Sequence, residues 1–123
     1  MKVLLVEDSE EVRGITVEYL QELGHEVVAV DSGERALEVL QQGPFDVVMT
    51  DFRLPGMTGV QLAARLAGAF PRLPVILASG YGALAVQAIP KDQLHKVIVL
   101  AKPYDLAELG STLAKASSLS RQL

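Results

Sequence analysis

Short unbroken apolar runs alternate along this chain with stretches whose apolar residues recur at helical spacing. The first run, Val3 to Val6, is followed at once by Glu7 and Asp8. A continuous apolar run of this kind predicts a strand covered on both faces, as in parallel sheets. Next, Val12, Ile15, Tyr19, Leu20 and Leu23 are spaced for one face of a helix, and Gly24 stands where that helix should end. Val27 to Val30 predicts a second strand. Ser32 can cap a second helix carrying Ala36, Leu37 and Leu40, which Gly43 and Pro44 stop. Val47, Val48 and Met49 predict a third strand, with a loop from Asp51 to Met57 behind it. Thr58 and Gln61 have capping-box spacing, opening a third helix with Leu62, Ala63 and Leu66 on one side. Val75 to Ala78 and Val97 to Leu100 predict strands four and five. Asp105 and Glu108 repeat the box spacing ahead of a last helix that turns Leu106, Leu109 and Leu113 inward.

Residues 80–96 carry the weakest pattern. Ala83 to Ile89 fits a short fourth helix that Pro90 cannot continue. The small and polar residues after Lys115 predict a fraying end, so the domain is read as 1–117 with a polar tail over 118–123. Five strands alternating with helices make an α/β fold: a doubly wound parallel sheet with helices on both faces. Of the common strand orders the flavodoxin-like one is 2-1-3-4-5, which makes strands one and three neighbours at the switch point. Ligands bind there, beyond the carboxyl ends of the strands.

Composition narrows the classes. A chain of 123 residues, half of them apolar, suits one domain with one core. No apolar run is long enough to cross a bilayer. Acidic residues follow the first apolar run too closely for a signal peptide, so it reads as strand one and the expected location is the cytoplasm. With no Cys, thiolate metal sites, disulfides and Cys nucleophiles are excluded. His25 and His95 are the only histidines, and both read as solvated surface residues. A net charge of −4, scattered Lys and Arg, no Trp and few other aromatics argue against direct nucleic-acid binding.

The predicted fold collects a set of polar residues at one rim. Glu7 and Asp8 follow strand one, Asp51 strand three, Ser79 strand four and Lys102 strand five. Taken singly, most have plain readings: acidic residues at a helix start, an Asp in a turn, a loop hydroxyl. Lys102 is harder to dismiss, because Lys is seldom set at a buried strand end without a partner. Taken together they form a site. Three carboxylates in one pocket repel unless a cation joins them, and an all-oxygen donor set calls for a hard ion such as Mg2+ or Mn2+. A carboxylate can also attack phosphorus, and phosphoryl transfer needs mainly positioning and charge neutralisation. Lys102 and the Ser79 hydroxyl can supply cationic and neutral donors for that.

Over nearly its whole length the chain resembles a response-regulator receiver domain. The matching pieces are Val6-Glu7-Asp8, Thr50 to Gly59 around Asp51, Ala78-Ser79-Gly80 and Lys102-Pro103. The resemblance implies Asp51 as phosphoacceptor and Ser79 and Lys102 as its helpers. It implies metal binding by Glu7, Asp8, Asp51 and the backbone carbonyl of Arg53. It implies a cis peptide at Lys102-Pro103, and a histidine kinase or phosphotransfer protein as donor. The chain would then be a signalling module rather than an enzyme, with homodimer formation open, and would fit a receiver of a hybrid histidine kinase. Departures are Glu7 in place of the usual Asp, and Val99 where many members carry an aromatic switch residue. The usual Gly-Ala pair before strand five is absent too. From these changes we expect an output that acts mainly through the loops holding Ser79 and Arg53, or through a dimer equilibrium. Other readings stay open: a pseudo-receiver that only binds partners, an Asp-nucleophile phosphatase and an FMN carrier. Arg53 occupies the place of a phosphatase acid/base, and Glu7-Asp8 would repel an FMN phosphate.

Overall fold

The computed structural model describes residues 1–123, the side chain of Ala83 excepted. The strands are β1 (Lys2–Val6), β2 (Glu26–Val30), β3 (Val47–Asp51), β4 (Val75–Ser79) and β5 (Val97–Ala101). The helices are α1 (Glu10–Glu22), α2 (Gly33–Leu40), α3 (Gly59–Ala69), α4 (Ala83–Ala88) and α5 (Leu106–Gln122), with a 3-10 helix at Lys91–Lys96. All strands pair in parallel in the order β2-β1-β3-β4-β5.

Strand alternation splits the core between the two faces. Leu4, Val6, Val48 and Val75 pack with Ala36, Leu40, Leu62 and Leu66 of α2 and α3. Val3, Leu5, Val47, Met49 and Ile76 pack with Leu20 of α1 and with Leu109, Leu113 and Ala116 of α5. Burial on both faces is why these strands read as unbroken apolar runs. Ser32 caps α2, Thr58 with Gln61 and Asp105 with Glu108 form the two predicted capping boxes, and α4 is short. Gly24 closes α1 at φ +90°, and the Lys102–Pro103 peptide is cis.

Three expectations need correction. The inward face of α1 is turned from the predicted one: Val12 and Ile15 are 38% and 47% exposed, whereas Thr16 and Leu20 are buried. Polar contacts that an apolar pattern cannot register set this phase: the Ser9 hydroxyl accepts from the Val12 N–H, and Arg13 and Thr16 bond to other elements. The tail is helical. With no Gly or Pro to stop it, α5 runs through Gln122, continuing its inward stripe with buried Ala116 and half-buried Leu119. His25 is half-buried rather than solvated, with Nδ1 3.1 Å from the terminal amine; burial, then that amine's charge, pushes the imidazole down.

Lys96 carried no signal in the sequence, yet it is buried. Its ammonium donates to the Phe70 carbonyl at 3.3 Å, at the carboxyl end of α3, where a cation suits the helix dipole. Burial pushes this Lys down.

Candidate functional site

The carboxyl ends of β1, β3, β4 and β5 deliver the site. β1 ends at Val6, and the Glu7 N–H donates to the Val30 carbonyl at 3.0 Å, so the chain turns only after the acidic pair begins. The turn is fixed twice more. The Ser9 N–H donates to Glu7 Oε2 at 3.1 Å, and Arg13 Nη1 donates to the Glu7 carbonyl at 2.9 Å. Glu7 is buried and Asp8 is exposed at the mouth. Asp51 is the last residue of β3, half-buried, and its Oδ1 accepts from the Phe52 N–H at 2.9 Å.

Lys102 follows β5 directly. Its backbone N–H donates to the Ser79 carbonyl at 2.8 Å, and its ammonium donates to Asp51 Oδ1 at 2.7 Å. The same ammonium lies 3.7 Å from Glu7 Oε1. Ser79 ends β4, buried, and its Oγ accepts from the Tyr81 N–H at 2.9 Å, which leaves its own proton to donate elsewhere. Arg53 is exposed and lays its guanidinium 4.8 Å from the centre of the Tyr81 ring. That ring also meets Phe52 at 5.6 Å between centroids, so Tyr81 ties the β3–α3 loop to the β4–α4 loop.

Each of Glu7, Asp8 and Asp51 offers a carboxylate oxygen, and these oxygens lie within 4.8 Å of one another. Three hard, anionic donors at that spacing fit a divalent cation that keeps part of its water shell, as Mg2+ does. Electrostatics shows the strain of the cluster without an ion. Burial first, and then the charge of Asp51, push the Glu7 carboxyl above its ordinary range, against the Ser9 N–H that pulls it down. Burial alone would lower Lys102, but the hydrogen bond and charge of Asp51 outweigh it and hold the ammonium above its ordinary value.

The family model for the response regulator receiver domain matches residues 3–114. The chain belongs to this family. Response regulator protein FleR of Pseudomonas aeruginosa is 40% identical over 93% of the chain, which spans 24% of that protein. Response regulator receiver protein CpdR of Brucella abortus is 33% identical over 93% of the chain, and here the chain spans 94% of the relative. Among solved structures, the receiver domain of a sensor histidine kinase of Pseudomonas aeruginosa superposes with a TM-score of 0.82 at 25% identity, covering 95% of this chain and 97% of that one. That structure has a magnesium ion coordinated in its active site cleft. Receiver domains work in two-component signalling with histidine kinases or phosphotransfer proteins, and the fold here is theirs. Among the described residues, no helix is long and apolar enough to cross a membrane.

All five rim residues expected from the sequence meet at one edge of this receiver domain. Reading the sequence missed Arg13, Thr16, Tyr81 and Tyr104, which hold the rim in place. Of these only Thr16 left a trace, as a polar residue within an apolar helical stretch.

Glu7→Gln tests the electrostatics of the receiver site. Lys102 is nearer Asp51 than Glu7, so it and the Ser9 N–H offset only part of the cost of burying Glu7. Because folding raises the Glu7 pKa, its protonated form is the favoured one in the fold. Below its ordinary 4.5 that costs nothing; as pH rises, the unfolded chain releases the proton first and the fold loses stability until Glu7 ionises in place. Glu7→Gln should therefore raise the metal-free melting midpoint at pH 7, with the gain gone near pH 4, and weaken Mg2+ binding. Thermal melts at both pH values check it, and an unchanged or lower midpoint at pH 7 refutes it.

Proposed function

We propose that this receiver domain accepts a phosphoryl group on Asp51 from a histidine kinase or phosphotransfer protein. The observation that carries the reading is the Lys102 ammonium fixed 2.7 Å from Asp51 Oδ1 beside two further carboxylates. The Phe52 N–H and Lys102 both occupy Oδ1, so Oδ2 is the oxygen offered to phosphorus. Oδ2 forms the new bond to phosphorus as the bond from phosphorus to the donor nitrogen breaks, and the proton needed by the leaving imidazole comes from solvent. Lys102 and the Ser79 hydroxyl then face the developing charge on the phosphoryl oxygens. Glu7, Asp8 and Asp51, with the Arg53 carbonyl, would hold Mg2+ or Mn2+. When bound, the ion supplies neutralisation of phosphoryl charge that the carboxylates would otherwise repel.

A donor must reach Asp51 across the rim, and the surface there suits a helical partner. Exposed Val12 and Ile15 line a groove together with Lys102, Pro103 and Tyr104. Isolated apolar residues beside a polar site are a fitting floor for an amphipathic helix that carries a phosphohistidine. Arg53, its guanidinium over the Tyr81 ring, places no acid/base beside Asp51, which favours a phosphoacceptor over a phosphatase.

The test is incubation with a small phosphodonor, such as acetyl phosphate, followed by intact mass. One phosphoryl group should be added with Mg2+ present and none with excess chelator. Equal labelling with and without the divalent ion would remove the acidic cluster from the reaction.

A further inference from the structure

Thr16 is 3% exposed on a helix whose other buried member is Leu20, so packing alone would favour an apolar residue there. Its hydroxyl lies 3.1 Å from the Tyr104 hydroxyl, a hydrogen bond between residues 88 positions apart. Tyr104 stands two residues after Lys102, beyond Pro103. A Phe would fill the groove between α1 and the β5–α5 loop as well as Tyr104 does. The hydroxyl is what calls for explanation: Tyr104 is half-buried, its hydroxyl meets the buried Thr16, and a phenol drawn out of water is costly unless its proton has a partner. Burial pushes the Tyr104 phenol up, so it stays neutral at physiological pH and the bond keeps both protons.

Lys102 is thus anchored from two sides. Its backbone N–H is tied to Ser79 on the sheet, and its loop is tied through Tyr104 to α1. Three residues before Thr16, on the same side of α1, Arg13 holds the Glu7 carbonyl. One helix therefore braces both halves of the site: the acidic turn through Arg13 and the ammonium's loop through Thr16.

We propose that Tyr104 is a positioning residue for phosphoryl transfer, and that its bond to Thr16 sets the β5–α5 loop so that Lys102 Nζ meets Asp51. The proposal rests on the reading of Asp51 as phosphoacceptor and goes beyond it. A Lys has four rotatable side-chain bonds and rotamer freedom to lose. Fixing its backbone on both flanks reduces the space it must search before it can stabilise phosphoryl charge, and small misplacements at a reacting centre are expensive in rate.

The experiment compares wild type with Tyr104→Phe, Thr16→Val, Thr16→Ser and the Tyr104→Phe/Thr16→Val double variant, all as the full 123-residue chain. Two quantities are read: the rate of Mg2+-dependent labelling by acetyl phosphate, and the NMR cross-peak of the Lys102 ζ-ammonium with no phosphodonor present. Tyr104→Phe and Thr16→Val should each slow labelling roughly threefold to tenfold, with circular dichroism unchanged and the ammonium peak shifted or broadened. Thr16→Ser, which keeps the hydroxyl, should restore wild-type values. The double variant should lose no more than either single one, because both remove the same bond. Wild-type rates and an unmoved ammonium peak in Tyr104→Phe would overturn the proposal, as would losses that multiply in the double variant. Failure of the wild type to label would instead count against Asp51 as acceptor, and the ammonium peak would still decide the positioning claim.

Discussion

Asp51→Asn should abolish phosphorylation while leaving the domain folded. The amide has nearly the volume of the carboxylate, and its oxygen can still accept from the Phe52 N–H at the end of β3. What it lacks is an anionic oxygen able to attack phosphorus, since an amide is a poor nucleophile. It also removes one of the three carboxylates within 4.8 Å of one another, so the cation affinity should fall with it. Lys102 would then have Glu7, at 3.7 Å, as its remaining carboxylate neighbour. Intact mass after incubation with acetyl phosphate and Mg2+ should show one added phosphoryl group on the wild type and none on the variant. Labelling of Asp51→Asn to the wild-type level would move the acceptor elsewhere, with exposed Asp8 the next residue to test.

Much of this architecture was written in the apolar pattern, for a physical reason. A strand buried on both faces must be apolar along its length, so β1, β3 and β4 announced themselves as runs, and the residues just past each run marked the rim. The caps were legible because Thr58 with Gln61 and Asp105 with Glu108 satisfy helix N-termini by local bonds that spacing alone reveals. Contacts between residues distant in sequence left no such mark. The phase of α1 depends on Arg13 reaching the Glu7 carbonyl and on Thr16 reaching Tyr104, and neither bond follows from periodicity. With those contacts unknown, Val12 and Ile15 looked like core residues, when in the fold they are exposed beside Lys102. Lys96 was hidden likewise: its burial makes sense only once the carboxyl end of α3 is brought beside it. The end of α5 went unread because Ser-rich sequence has weak helical preference, and the packing of Ala116 overrode it.

The same distinction between local and distant contacts bears on output. Val99 lies on β5 opposite Leu77 of β4, half-buried, with no ring to swing. The aromatic link in this receiver lies elsewhere: Tyr81 touches Phe52 and Arg53, one and two residues past Asp51, and its N–H is bonded to Ser79 Oγ. On the proposed reading of Asp51, movement of Ser79 towards a phosphoryl group would pull on Tyr81, which is already packed against the loop that follows Asp51.

Gly59→Ala should be the most damaging small substitution in the chain. Gly59 opens α3 and is buried, and its N–H donates to the Phe52 carbonyl at 2.9 Å, closing the loop that begins at Asp51. A Cβ built at this position would collide with the Asp51 backbone carbonyl oxygen and with Leu77 Cδ1. Leu77 is fully buried and has little room to turn, and the carbonyl belongs to Asp51 itself. Neither obstacle can give way without moving β3 or tilting the start of α3. Overpacking of this kind costs about 1–3 kcal/mol, and a backbone collision belongs at the upper end of that range. The strain falls on the peptide that aims Asp51, so stability and labelling should fall together. Chemical denaturation should show the midpoint lowered, and acetyl phosphate labelling should slow by about tenfold or more, since an ångström of misplacement at a reacting group is costly. Gly110→Ala is the control: that glycine is also helical, but its new Cβ would meet only the flexible end of Leu23 at 3.3 Å. If Gly59→Ala proved as stable and as readily labelled as Gly110→Ala, the close packing of α3 against the acceptor would have no part in holding the site.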